Sequence, residues 1–280
     1  MKIPKRLLPL VEEGLVDEVI GQLMSGKEAT VYIVRCGAHI RCAKVYKDAK
    51  QRSFRKSANY QEGRRVKNSR QARAMEKGSR YGRKMEEEAW QSAEVDALYR
   101  LSAAGVRVPR PHLCFAGVLL MDLIVDADGQ AAPRLNDIEV DEALALEYHA
   151  LLVNQAVRML CAGIIHGDLS EYNILVGADG PVIIDVPQAI DAAGNSNAAE
   201  MFARDVTNLR TYFGAFAPAL GDTQYAKEIW AKYESGVLTP DLPLTGQVVL
   251  DETPADVDAV LLQVELAIRE NEIRRMCQPD

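Results

Sequence analysis

Between Ile164 and Val186 the chain reads IIHGDLSEYNILVGADGPVIIDV. Aliphatic, strand-like runs alternate here with polar groups, and Asp168, Asn173 and Asp185 stand beside them. Carboxylates and amides next to a core are costly unless something binds them. "NILV" and "PVIIDV" joined by "GADG" predict a hairpin. The stretch must therefore fold as a loop, a strand, a tight turn and a second strand. Asp168 and Asn173 fall in the loop, and Asp185 falls at the far end of the hairpin.

The flanking segments predict what this hairpin belongs to. Residues 4–20 alternate apolar and acidic residues at helical spacing, which predicts a helical preamble over 1–20. "EATVYIVRCGAHIRCAKVY" (28–46) predicts two strands with a turn near Gly37. "MEEEAWQSAEVDALYRLSAAGV" (85–106) predicts a helix with Trp90, Val95, Leu98 and Leu101 on one face and Gly105 near its stop. "VPRPHLCFAGVLLMDLIV" (108–125) predicts an extended proline segment and a strand around Gly117–Met121. Asp141 is placed to cap a long helix that ends at Gly163. Further helices are predicted at 198–213, at 222–235 and from about Pro254 to Met276, where "TPADVD" puts a proline just inside the start. The order predicts an α+β fold of two lobes. A small β-rich lobe covers 21–124 and a helical lobe covers 125–280, with a hinge near 121–127. A cleft between lobes is a usual place for a ligand.

With 48% hydrophobic and 26% charged residues in 280, the chain has a globular balance and enough length for two packed lobes. No apolar run reaches the length of a membrane span, so no membrane partner is expected. The opening "MKIPKRLLPLVEEG" is broken by Pro9 and followed by acids, unlike a secretion signal. Cys36, Cys42, Cys114, Cys161 and Cys277 are scattered, with no CxxC pair. That pattern predicts neither a disulfide framework nor a zinc cluster, and fits a reducing cytoplasm. The net charge of −7 conceals a basic block: Lys50 to Lys84 holds 13 Lys or Arg against 2 Glu. Such a block suggests contact with phosphate-rich material, although charge runs are more often plain solvated loops. With Tyr60 and Tyr81 but few aliphatic residues, it is expected to be poorly ordered alone.

Phosphoryl transfer needs a carboxylate near the attacking oxygen and hard oxygen ligands for a metal. The protein-kinase pattern is His-Arg-Asp-Leu, an asparagine four residues on, and later Asp-Phe-Gly. This chain has His166-Gly167-Asp168-Leu169, then Asn173, then Asp185-Val186-Pro187. An Asp and an Asn at that spacing arise in many capped loops, and the second Asp after a hairpin makes the set more specific. Upstream, Lys44 stands inside the apolar strand "CAKVY" and fits a phosphate-contacting ion pair better than an edge lysine. Glu94 is its expected partner, one helical turn after Trp90 and one before Leu98, with Glu87 and Glu88 as rivals. "SGKEATVY" offers Ser25, Gly26 and Lys27 in a small turn whose amides and side chains can approach phosphates. The set suits ATP with Mg2+ or Mn2+.

"SGKEATVY", "AKVYK", "AGVRVPRP", "LLMDLI", "HGDLSEYNILV" and "IIDVPQA" together resemble the RIO family of atypical serine/threonine protein kinases. The resemblance runs from about Gly21 to Phe213. It implies a trimmed two-lobe kinase fold. It implies Asp168 as the catalytic aspartate, Asn173 and Asp185 as metal ligands, and Lys44 as the phosphate lysine. The backbone of Met121, Asp122 and Ile124 would hold the adenine. About twenty residues precede the phosphate turn, and with the "GKEA" form this implies the branch without an N-terminal winged helix. Residues 47–85 match the family's flexible loop in position. No Ala-Pro-Glu string follows Asp185, so the usual peptide platform is expected to be absent. The family implies ATPase activity, serine autophosphorylation or an unknown protein substrate. Two other readings share the motifs. One is a small-molecule phosphotransferase of the aminoglycoside or choline kinase type, although the 66 residues after Gly214 leave little room for its helical insertion. The other is a nucleotide-gated module that docks on RNA or ribosomes through residues 50–84.

Overall fold

The sheet that carries Lys44 has five antiparallel strands: β1 (Glu18–Ser25), β2 (Ala29–Cys36), β3 (His39–Tyr46), β4 (Pro111–Phe115) and β5 (Val118–Asp122), in the order β1-β2-β3-β5-β4. The computed structural model describes residues 3–26, 29–47 and 93–247. Lys27, the basic block 50–84, Trp90 with Glu87 and Glu88, and the final helix at 254–276 lie outside the described residues. The β2–β3 turn uses Gly37 at φ 60°, and the β4–β5 turn uses Ala116 and Gly117 at φ 50° and 76°. Two successive left-handed residues are what a two-residue hairpin loop requires.

Alternation along β3 decides what meets what. Ala43 and Val45 face helix α1 (Leu8–Glu12) and join Leu7, Leu10, Val16, Val34, Val118 and Leu120 in one core. Lys44 and Tyr46 have the opposite parity. Tyr46 packs with Leu119 and with Val95, Leu98 and Leu101 of helix α2, helical over 93–103.

The preamble differs from its expectation. Among the described residues of this segment only Leu8–Glu12 is α-helical, and β1 already begins at Glu18, so the β-rich lobe starts before residue 21. Gly14 at φ 68° ends the helix, and the amides of Leu15 and Val16 fold back onto the Leu10 carbonyl at 2.8 and 3.1 Å. The open edge of β2 then recruits 18–25. A ladder partner outweighs a weak helical period.

In the second half, α3 (Glu142–Cys161) is capped as its sequence predicts: Asp141 accepts from the Leu144 amide at 2.8 Å. Its residues serve two cores, Ala145, Tyr148, Leu152 and Met159 in one, and Val153, Ala156, Val157 and Leu160 in the other. Helices α4 (Ala198–Gly214) and α5 (Tyr225–Glu234) complete the helical lobe among the described residues. Strands β6 (Ile164–Ile165) and β9 (Ile190–Asp191) pair, as do β7 (Ile174–Gly177) and β8 (Gly180–Ile183). The larger core runs without a break from Tyr46 and Leu101 to Leu152, Ile183, Leu209 and Phe213, so it joins the sheet to the helices. Arg107 braces the β7–β8 hairpin by donating to the carbonyls of Pro181 and Asp179, both at 2.9 Å. The result is the two-lobe α+β architecture. Among the described residues no helix is long and apolar enough to cross a membrane.

Candidate functional site

Lys44 stands on the α2 side of the sheet because of its parity in β3. Glu94 stands on the inward face of α2 because 94, 98 and 101 share that face. Their meeting is a salt bridge between two nearly inaccessible groups. The Lys44 Nζ donates to Glu94 Oε1 at 2.5 Å, with Lys44 8% and Glu94 1% exposed. Lys44 also donates to Asp185 Oδ1 at 2.9 Å, although 141 residues separate them. Burial works against the charge on Lys44, but the carboxylates of Glu94 and then Asp185 outweigh it and hold the ammonium well above its ordinary pKa. Burial likewise pushes Asp185 up, and the charge and hydrogen bond of Lys44 outweigh it, so its carboxyl sits below the usual range. The Tyr46 ring lies under the ammonium, 5.6 Å from centroid to Nζ.

Asp185 stands two residues beyond the end of β8, in the left-handed region at φ 64°. For a side chain with a Cβ this is a strained backbone, and strain of this kind persists where the surroundings over-determine it. Asn173 precedes β7, and the Ile184 amide donates to the Asn173 carbonyl at 2.9 Å. Hairpin pairing therefore sets Asn173 opposite Ile184, the residue before Asp185.

Asp168 lies in the loop between β6 and that hairpin. Beneath it is His166, 1% exposed. The Asp168 amide donates to His166 Nδ1 at 3.3 Å, which leaves Nε2 to carry a proton and donate to the Ile184 carbonyl at 3.1 Å. Asn173 Nδ2 donates to the Asp168 carbonyl at 2.8 Å. Burial pushes the Asp168 carboxyl up, and the negative charge of Asp185 adds to that.

Helix α4 grips this loop through residues that the sequence reading missed. Asp205, 2% exposed, accepts from the amides of Gly167 at 2.7 Å and Leu169 at 3.0 Å. Arg204 donates to the Gly167 carbonyl, and Asn208 to the Leu169 carbonyl at 3.0 Å. Gly167 itself has φ 80°. A signal for Asp205 was present. It is a charge among Met201, Phe202, Val206 and Leu209, the apolar face of the helix.

The phosphate-turn expectation finds Ser25 at the end of β1 and Gly26 closing a tight turn, its amide donating to the Ala29 carbonyl at 2.9 Å. Lys47, not foreseen, donates to the Gly26 carbonyl at 2.6 Å and to Ser25 Oγ at 3.2 Å.

At the hinge, Met121 packs on the main core two residues from Leu119, the ladder partner of Lys44. The Asp122 side chain pairs with His112 Nε2 at 2.6 Å and its amide with the Arg110 carbonyl at 3.0 Å. The Ile124 carbonyl accepts from Ala132 at 3.0 Å. A Cβ on Gly177 would come within 3.1 Å of the Ile124 side chain, so glycine there leaves room for the close approach of residues 124–125 to the β7–β8 hairpin.

The donor set can be tested for a metal. Asn173 gives its nitrogen to the Asp168 carbonyl, which leaves its hard oxygen as the atom that could hold a cation. Asp185 is 45% exposed and gives one oxygen to Lys44, so the second remains for a cation. Among the described residues no three His, Cys, Asp or Glu gather into a cage. A divalent cation here would draw its other oxygens from water and a phosphate-bearing ligand, which is how magnesium is commonly held.

The RIO domain family model matches residues 30–226. A RIO-type serine/threonine-protein kinase Rio1 from Haloferax volcanii is 33% identical over 218 residues, covering 77% of this chain and 70% of that protein. The serine/threonine-protein kinase rio1 of Schizosaccharomyces pombe is 30% identical over 214 residues, covering 74% of this chain. The chain spans only 40% of the length of the latter. A solved kinase-domain structure aligns with 72% of this chain and 64% of its own, at 13% identity and a TM-score of 0.46.

Proposed function

The chain belongs to the RIO domain family, and we propose that it is a RIO-type serine/threonine protein kinase. It moves the γ-phosphoryl group of ATP to a protein, itself included, or to water. The observation that carries this reading is Lys44, bonded at once to buried Glu94 and to Asp185, with the residue before Asp185, Ile184, bonded across the hairpin to Asn173. Glu94 aims the lysine. Lys44 meets the phosphates as a fixed cation, already desolvated, so little reorganisation is left for the reaction. Asp168 accepts the proton of the attacking hydroxyl or water, and its raised pKa makes it a better base than an exposed aspartate. Met121, Asp122 and Ile124 line the adenine end by their backbone, and Ser25, Gly26 and Lys27 cover the phosphates. Asn173 and Asp185 would hold Mg2+ or Mn2+, which when bound neutralises charge on the phosphates.

The test is product identification. The full chain is incubated with Mg2+ and ATP labelled at the γ-phosphate, alone, with candidate proteins, and with an aminoglycoside or choline. Label on protein or in free phosphate supports the reading. Label on the small molecule, or none anywhere, overturns it.

A further inference from the structure

Gln188 has no part in the reading above, yet it reaches the residue at its centre. It sits in the short link from Asp185 to β9, and that link is held at both ends. Val186 is buried, Ile190 pairs with Ile165, and the Ala189 amide closes a turn onto the Val186 carbonyl at 3.1 Å. From there Gln188 Nε2 donates to Asp168 Oδ2 at 3.4 Å. A carboxylate only accepts, so the amide nitrogen must face it and Oε1 is left over. The Asp168 amide and carbonyl are already taken by His166 and Asn173. Its carboxylate is the part that meets an acceptor, and Gln188 stands beside it.

We infer that Gln188 is a water-positioning residue that favours hydrolysis of the nucleotide over transfer to a protein hydroxyl. The inference rests on the proposed kinase reading of Asp168. Its basis is a count of protons. Water has two O–H groups, so it can donate one to Asp168 and one to Gln188 Oε1 while a lone pair faces the γ-phosphorus. A serine hydroxyl has one, which goes to Asp168, so it makes no second bond to Oε1. In the hydrolytic step the water oxygen bonds to the γ-phosphorus as the bond from that phosphorus to the β,γ-bridging oxygen breaks. The bridging oxygen keeps the electron pair and leaves on ADP. The proton passes to Asp168 and then to solvent, so the products are ADP, phosphate and one proton. Because the amide is neutral, it steers the water without holding Asp168 in its ionised form as a lysine or arginine would.

Gln188→Met keeps the length of the side chain and removes both hydrogen-bonding groups. The full chain and the variant are incubated with γ-labelled ATP and Mg2+, and free phosphate and protein-bound phosphate are counted in the same reaction. Phosphate release is expected to fall by about tenfold, the worth of one hydrogen bond to the water. The ratio of phosphoprotein to phosphate rises by about the same factor, with nucleotide affinity unchanged. Gln188→Ala, which opens space where Met fills it, must move the ratio in the same direction. An equal fall in both products overturns the inference, since Gln188 would then only orient Asp168, and so does an unmoved ratio. A parent chain that gives neither product is a different result: the proposed function itself has then failed.

Discussion

Lys44→Met separates the structural weight of the lysine from its chemical one. At 2.5 Å and an effective dielectric near 20, the attraction between Lys44 and Glu94 is on the order of 7 kcal/mol. Taking both groups out of water costs several kcal/mol each, so the intact pair nets little. The variant removes the attraction and keeps the cost of Glu94, which is 1% exposed. Breaking a buried pair from one side typically costs about 3–5 kcal/mol, equivalent to on the order of 10 °C in Tm for a chain of this size. Asp185 is half-exposed and can turn to water, so it adds little. Replacing both partners, Lys44→Met with Glu94→Leu, should restore most of the loss because nothing charged is then left buried. Chemical denaturation and thermal melting of the parent, both single variants and the double variant complete the cycle. A single variant as stable as the parent, or a double variant less stable than Lys44→Met, would refute the argument. ATP turnover should be lost in Lys44→Met and in the double variant, since stability returns in the double variant and the cation does not, and it should fall in Glu94→Leu, where the cation remains but is no longer aimed.

Asp168→Ala should abolish turnover and leave nucleotide affinity nearly intact, measured by phosphate release and calorimetry. In the parent the raised pKa of Asp168 means that its basic form is lost, as pH falls, sooner than that of an exposed aspartate. The acidic limb of kcat/KM should accordingly lie above the ordinary carboxylate range, and a limb at or below that range contradicts the role. Asp185→Ala should weaken binding of Mg2+-ATP far more than binding of metal-free ATP in calorimetry; an equal loss makes Asp185 a structural residue. Asp205→Asn replaces one of two accepting oxygens with a donor facing an amide, so it should cost about 1.5–3 kcal/mol in denaturant titration and lower kcat through a displaced Asp168. Deleting residues 50–84, with their 13 cations, should remove a salt-sensitive affinity for RNA in filter binding at two salt concentrations. No loop-dependent difference at low salt would dismiss that partner.

What the sequence alone determined was local. The Asp141 cap, the turn at Gly37, the "GADG" hairpin and the runs of α4 and α5 all follow from side-chain period and turn chemistry within a few residues, and each appears in the fold. The choice of Glu94 for Lys44 was also legible, because a carboxylate at a position that α2 must bury calls for a cation. The tertiary structure decided everything that depended on distant segments. β1 forms because β2 offers it an edge, and it takes residues 18–20 from the stretch read as helical. Lys44 reaches Asp185 only when the sheet and the hairpin share one core. The Asp168 loop is held by Asp205, Arg204 and Asn208 from a helix some forty residues later. Lys47 and Gln188 show no pattern at all along the chain; each acquires its partner only when folding brings a backbone carbonyl or a carboxylate within bonding distance. Periodicity encodes which face a residue presents, whereas the identity of what it faces is set by packing between segments that no local window contains.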